Sequence, residues 1–150
     1  MRSAGADENL FLRPTDLIFL EPACESGYIT KEGHDVRFCS AEARDTLIVV
    51  RIYSTKNMEA TQMLLAQLNA LAQRANEDGI LTYMPFKRRD SVDTEVSVLE
   101  RYSSKAAFEQ AEKSLHELSI KARAAAEHVD VSIWENGIGH IRSPGSNQAP

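Results

Sequence analysis

The sequence predicts an α+β protein of the ferredoxin-like class, with the element order β-α-β-β-α-β around one antiparallel sheet. Three observations predict it. Four short runs, near 47–53, 80–86, 94–102 and 129–134, are β-branched or alternate between apolar and polar residues, as strands do. Two longer stretches, near 58–78 and 105–128, carry apolar residues at spacings of three and four, the helical period. Only a turn-forming segment, 87–93, separates the second and third runs, so these pair as a hairpin while each helix crosses between the others.

The first core strand is Leu47-Ile48-Val49-Val50-Arg51-Ile52-Tyr53, too short for a helix and apolar on both faces. Asn57 is placed to cap the next helix, and Glu59 lies in its first turn, where the helix dipole favours negative charge. Leu64, Leu68, Leu71 and Ala75 form the buried stripe, and Gly79 supplies a left-handed stop. Segment 80–86 is the second strand; Pro85 lacks a ladder donor and so predicts a sheet edge or a bulge. From Thr94 to Tyr102, alternation puts Val96, Val98, Glu100 and Tyr102 on one face and Ser97, Leu99 and Arg101 on the other. Ser103 or Ser104 caps the second helix, whose stripe of Phe108, Ala111, Leu115, Leu118, Ala122 and Ala125 predicts one helix running to about His128. Val129 to Trp134 is the last strand, with Val129, Val131 and Ile133 opposed to Ser132 and Trp134. Both helices cover one sheet face. The other, apolar along 47–53, is expected to be covered by a second copy in a two-fold homodimer, with Leu47 and Leu99 as candidate contacts.

At 150 residues, 43% hydrophobic and 26% charged, the chain has apolar surface for one core. Its net charge of −5 argues against a nucleic-acid partner, because the cluster Lys87-Arg88-Arg89 is followed at once by Asp90, Asp93 and Glu95. No window approaches the roughly 18 to 20 apolar residues of a membrane span, so no membrane partner is expected. Residues 1–8 lack the apolar core of a secretory signal, which predicts a cytoplasmic protein with Cys24 and Cys39 as free thiols. Residues 1–45 hold nine Asp/Glu against five Lys/Arg, while 46–150 hold thirteen against twelve, so the chain divides near residue 45. We therefore expect an N-terminal extension over 1–45, a folded domain over 46–141 and a flexible tail over 142–150. Within the extension, 17–20 and 36–39 are strand-like runs expected to cap a sheet edge, with His34 and Asp35 as possible polar contributors.

Four pieces of the domain, in order, carry a family resemblance. Gly79-Ile80-Leu81-Thr82-Tyr83 resembles a Gly-Cys-Leu-x-Tyr strand entry, Glu100-Arg101-Tyr102 a Glu-x-Trp motif, Ala107-Phe108 an Ala-Phe pair, and Ser114-Leu115-His116 a Ser-Pro-His motif. Together they resemble the antibiotic biosynthesis monooxygenase family over about residues 46–141. The resemblance implies a dimeric α+β barrel, in which two βαββαβ sheets pair with the helices outside. It also implies oxidation of electron-rich phenols, anthrones or quinols by dioxygen without metal or flavin. The chain departs from the pattern at Tyr102, which stands where the family has tryptophan, at Ala111, where a histidine is frequent, and at Leu115, where the family has proline. Haem-degrading relatives use an asparagine on the first strand, and 47–53 has none, so haem breakdown is not expected.

The residues agree with a cofactor-free reading: there is no Gly-x-Gly-x-x-Gly and no His/Cys set at metal-ligand spacing, so neither cofactor nor metal is expected. Such chemistry needs a base, a wall for a flat substrate and a group that stabilises the substrate anion. By the resemblance, His116 is the candidate base and Tyr102 the aromatic wall with a hydroxyl. Tyr53, Arg51 and Tyr83 are strand residues whose polar tips suit a cavity between sheet and helices, and Glu100 is placed to orient Arg51 or a tyrosine. Phe108 adds a second aromatic wall, and Trp134 with Gly137-Ile138-Gly139-His140 is expected near one end of the barrel. The expected partner is a small aromatic molecule. Two other readings stay open: an isomerase, cyclase or decarboxylase that works without oxygen on the same barrel, and a non-catalytic dimeric binding protein.

Overall fold

The structure, a computed structural model, describes residues 19–29, 36–37, 46–89, 92–135 and 140–141. Its elements are β1 (Leu20–Pro22), β2 (Val36–Arg37), β3 (Leu47–Ser54), α1 (Met58–Glu77), β4 (Thr82–Arg88), β5 (Glu95–Tyr102), α2 (Lys105–Ser114), α3 (His116–Ala124), β6 (His128–Glu135) and β7 (His140–Ile141). Five strands form one antiparallel sheet in the order β1-β4-β5-β3-β6, and β2 pairs with β7 in a separate two-stranded sheet. The inner order β4-β5-β3-β6 is the ferredoxin-like topology that the alternating strand and helix patterns predict.

The local signals act as elementary chemistry requires. Asn57 is extended and its side-chain oxygen accepts from the Ala60 amide at 2.9 Å, capping α1. Gly79, at φ +82°, turns the chain out of that helix. Leu64, Leu68 and Leu71 point into the core with Val49, Val96 and Val98 from the sheet. Register places Leu47, Val49, Arg51 and Tyr53 beside Tyr102, Glu100, Val98 and Val96 on the helix-covered face, and Tyr83 beside Glu100.

Several expectations are corrected. The second helical stretch is two helices, broken at Leu115 (φ −96°, ψ 3°), and α3 ends at Ala124 rather than near His128. Next to the break the Ser114 hydroxyl donates to Asp78 Oδ2 at 2.8 Å, at the far end of α1, and also lies 3.2 Å from the Ala111 carbonyl. A hydroxyl bonded to backbone within its own helix competes with the helical ladder and favours a bend there. β4 is not an edge, because β1 from the extension pairs with it at Leu20↔Arg88, Glu21↔Lys87 and Pro22↔Phe86. Pro85 is accommodated because the extension leaves the ladder beside it: Ala23 donates to the Pro85 carbonyl at 2.9 Å, and pairing resumes only at Tyr28 with Tyr83. Gly27 makes that detour possible, since a Cβ there would lie 3.0 Å from Pro85 Cδ and 2.9 Å from Met84 Sδ.

Leu47 is buried in the helix-side core and so is not on the open face, whereas Leu99 is half-buried on that face beside Val50. On edge strand β6, Val131 and Ile133 on the helix side and Trp134 on the other are all exposed. The Cys24 thiol donates to the Leu65 carbonyl at 3.4 Å, and burial pushes it up to about 11, a value at which a thiol is a poor nucleophile. Cys39, His34, Asp35, 136–139 and the tail 142–150 lie outside the described residues. Among the described residues, no helix is long and apolar enough to cross a membrane.

Candidate functional site

The site is built on adjacent strands β3, β4 and β5, whose helix-side residues Arg51, Tyr53, Tyr83, Glu100 and Tyr102 converge under the break between α2 and α3. Alternation is the cause. A residue on an inward-facing strand position is fixed by the ladder, and only a polar partner lets a charged one remain there. Glu100, with its side chain 3% exposed, has such partners: Arg51 Nε donates to Oε1 at 2.7 Å, and the Tyr102 hydroxyl donates to Oε2 at 2.7 Å. A second nitrogen of Arg51 reaches Glu112 Oε1 on α2 at 2.6 Å and lies 3.4 Å from Glu100 Oε2. Arg51 is thus held between two carboxylates, one buried and one with its side chain 46% exposed.

Burial by itself disfavours the Arg51 cation, but Glu100 and then Glu112 outweigh it, so its pKa is raised and the guanidinium stays charged. Burial pushes the Tyr102 phenol far up, and the charge of Glu100 with its hydrogen bond pushes it further. Tyr83 is raised by burial and then by Glu100. Burial also raises Tyr53, to about 12, against the opposing pull of Arg51. Tyr28, whose hydroxyl donates to the Ile80 carbonyl at 2.8 Å, is raised by burial and then by Asp78. Tyr102 is therefore a phenol that donates, not a phenolate that accepts.

These shifts carry a pH prediction, because the chain has four tyrosines and all four are shifted upward. A phenol with a raised folded pKa stabilises the fold fully below its ordinary value of about 10, and that contribution is lost as pH climbs through the folded value. Tyrosinate absorbance is expected to stay flat past pH ~10 and then to appear in one step with the loss of far-ultraviolet circular dichroism. Tyrosinate appearing near pH ~10 with the fold intact would contradict this burial.

The space within the cluster, bounded also by Leu71, Leu115 and Ser119, is only about 10 Å³, room for a single water at most. No substrate-sized cavity is enclosed there. Substrate-sized space lies outside it, in a shallow groove of about 540 Å³ lined by Phe108, Glu109, Glu112, Lys113 and His116. Phe108 meets Tyr102 edge to face, with centroids 5.2 Å apart and planes at 74°, so one aromatic pair joins the groove to the cluster. Glu112 lines both spaces. A second cleft, of about 440 Å³, lies on another side of Tyr102 among Arg74, Asp78, Ser103, Gln110 and Ser114.

Of the residues expected from sequence, the structure thus brings Arg51, Tyr53, Tyr83, Glu100 and Tyr102 together and sets Phe108 against them. His116, the exposed first residue of α3, lies in the outer groove and does not line the buried cluster. Trp134 is not brought there; it is 61% exposed on the opposite face of the sheet, registered beside Ile48. Glu112 was missed, although it falls four residues after Phe108 and thus on the same helix face. Among the described residues, no group of three or more His, Cys, Asp or Glu side chains is arranged to hold a metal ion.

No protein-family model matches the chain, and a search of curated proteins finds no match either. Solved structures do match. A conserved protein from Methanosarcina mazei Go1 aligns with TM-score 0.57 and 13% identity over 63% of this chain and 95% of that one. A dimeric ferredoxin-like protein from an uncultured marine organism aligns with TM-score 0.53 and 13% identity over 66% of this chain and 94% of that one. An antibiotic biosynthesis monooxygenase aligns with TM-score 0.53 and 17% identity over 59% of this chain and 96% of that one. At such identities the likeness is one of fold, and the chain has the ferredoxin-like fold that antibiotic biosynthesis monooxygenases also adopt.

Proposed function

We propose that this protein is an oxygenase that oxidises an electron-rich, hydroxylated aromatic molecule with dioxygen, bound in the Phe108–His116 groove and without a resident cofactor. The observation that carries the reading is Glu112: it lines the groove and bonds Arg51, so a molecule in the groove lies one side chain away from a largely buried, permanently charged guanidinium. His116 takes the proton from a ring hydroxyl or activated carbon. Arg51 stabilises the resulting anion, Glu100 fixes Arg51, and Tyr102 fixes Glu100 while remaining protonated. For an anthrone-type substrate the balance is CH2 plus O2 giving C=O plus H2O, the substrate supplying all four electrons.

The working unit in this proposal is a homodimer, supported by the half-buried open face around Val50 and Leu99 and by exposed Val131, Ile133 and Trp134 on β6. A second reading, a non-catalytic dimeric binding protein, is supported by the space of about 10 Å³ at Tyr102.

An oxygen electrode with a panel of anthrones and quinols tests the activity, run beside sedimentation of the same samples. We expect one O2 consumed per carbonyl formed, by a particle of two chains. Product without oxygen uptake would make the protein an acid/base isomerase or cyclase, neither product nor uptake would leave the binding protein, and a one-chain particle would remove the dimer.

A further inference from the structure

Arg51 has two carboxylate neighbours of different character. Glu100 is on a central strand, buried, and tied a second time by Tyr102, so it is a fixed part of the sheet. Glu112 is in the last turn of α2, nearly half exposed, and close to the break at Leu115. A pair of that kind is weakly held in water. It nevertheless comes to 2.6 Å of Arg51, which means that the guanidinium edge turned toward Glu112 donates to a carboxylate oxygen at full hydrogen-bond contact. The neighbouring groove offers Phe108 to a ring and Lys113 to a negative charge, with the Glu109 carboxylate opposing Lys113.

We infer that Glu112 occupies the place of a substrate carboxylate, and that the groove recognises an aromatic acid whose carboxylate displaces Glu112 from Arg51 while its ring lies against Phe108. The inference rests on the reading of the groove as the substrate site and narrows its substrate to an anion. Charge decides the selectivity. Exchanging one carboxylate for another leaves Arg51 with the same number of charged partners, whereas a neutral ring that pushes Glu112 aside gives the guanidinium nothing in return. Glu112 released from Arg51 turns into solvent, where its charge is hydrated.

Calorimetry on the full chain with 2-naphthoate and 2-naphthol, neither of which need be turned over, tests this. Wild type is expected to bind naphthoate about tenfold tighter than naphthol, the margin of one charge-assisted contact. Glu112→Ala, a change on an exposed helix position, is expected to tighten naphthoate binding severalfold because the internal competitor is gone. Arg51→Lys is expected to abolish the preference, and circular dichroism reports whether that variant folds. Equal binding of the two probes, or a Glu112→Ala chain that binds naphthoate no better than wild type, overturns the inference. Because binding is read without oxidation, failed oxygen uptake with preserved carboxylate selectivity would defeat only the oxygenase activity, and the opposite pattern would defeat only the substrate class.

Discussion

Glu100→Ala is expected to lower the unfolding free energy by about 3–5 kcal/mol, among the largest effects of any single change in this chain. Arg51 has its side chain only 17% exposed, and Glu100 is its buried partner at 2.7 Å. Removing Glu100 leaves a cation in a low-dielectric place with only the half-exposed Glu112, and it also orphans the Tyr102 hydroxyl. Glu100→Gln keeps an acceptor oxygen and should cost less. Replacing Arg51 and Glu100 together by apolar residues of similar volume should recover most of the loss, because the cost lies in the unpaired charge and not in the missing attraction. Urea unfolding midpoints check the series. A Glu100→Ala loss under about 1 kcal/mol would mean that water already solvates this pair.

His116→Ala is expected to reduce turnover by about 10² to 10⁴, the range for loss of a proton-transfer group, while stability stays within about 0.5 kcal/mol. The two halves of that expectation have separate causes. His116 is exposed at the first position of α3, so its removal opens no cavity. It lines the groove next to Glu112, so its removal takes the base away from the proposed substrate. Steady-state oxygen uptake read together with a thermal melt separates them. Turnover unchanged in a folded variant would remove His116 from the mechanism.

The sheet was legible because alternation is local. Val96, Val98, Glu100 and Tyr102 share a face for the reason that any strand repeats every second residue, and the ends of α1 follow from Asn57 and Gly79 alone. What sequence did not show depends on contacts between distant residues. The break at Leu115 is accompanied by a bond from Ser114 to Asp78, 36 residues away. Pro85 lies inside the sheet because a distant segment, β1 of the extension, pairs beyond it and bypasses it at Gly27. Leu47, a candidate for the dimer contact, had no face fixed by sequence until the pairing with Tyr102 set its side, and Trp134 was grouped with the site although its register beside Ile48 turns it to the opposite face.

The candidate site was half legible for a related reason. Arg51, Tyr53, Tyr83, Glu100 and Tyr102 all lie on strands, and once the strands were placed their faces followed. Glu112 was hidden because its significance comes from Arg51, 61 residues before it. The role of Tyr102 was hidden too. Nothing local distinguishes an aromatic wall with a free hydroxyl from one whose hydroxyl is committed to a buried carboxylate.

The most direct test of the central claim, that the groove beside Arg51 is where a small aromatic molecule binds, is the histidine side-chain NMR spectrum during titration with a hydroxylated aromatic ligand. The chain has four histidines, and Ala substitution assigns them. His116 lines the groove, whereas His128 is on β6, where its Nε2 lies 3.1 Å from Asp130. The His116 ring resonances are expected to move in proportion to occupancy while those of His128 stay fixed. A ligand that binds and leaves His116 unmoved would contradict it.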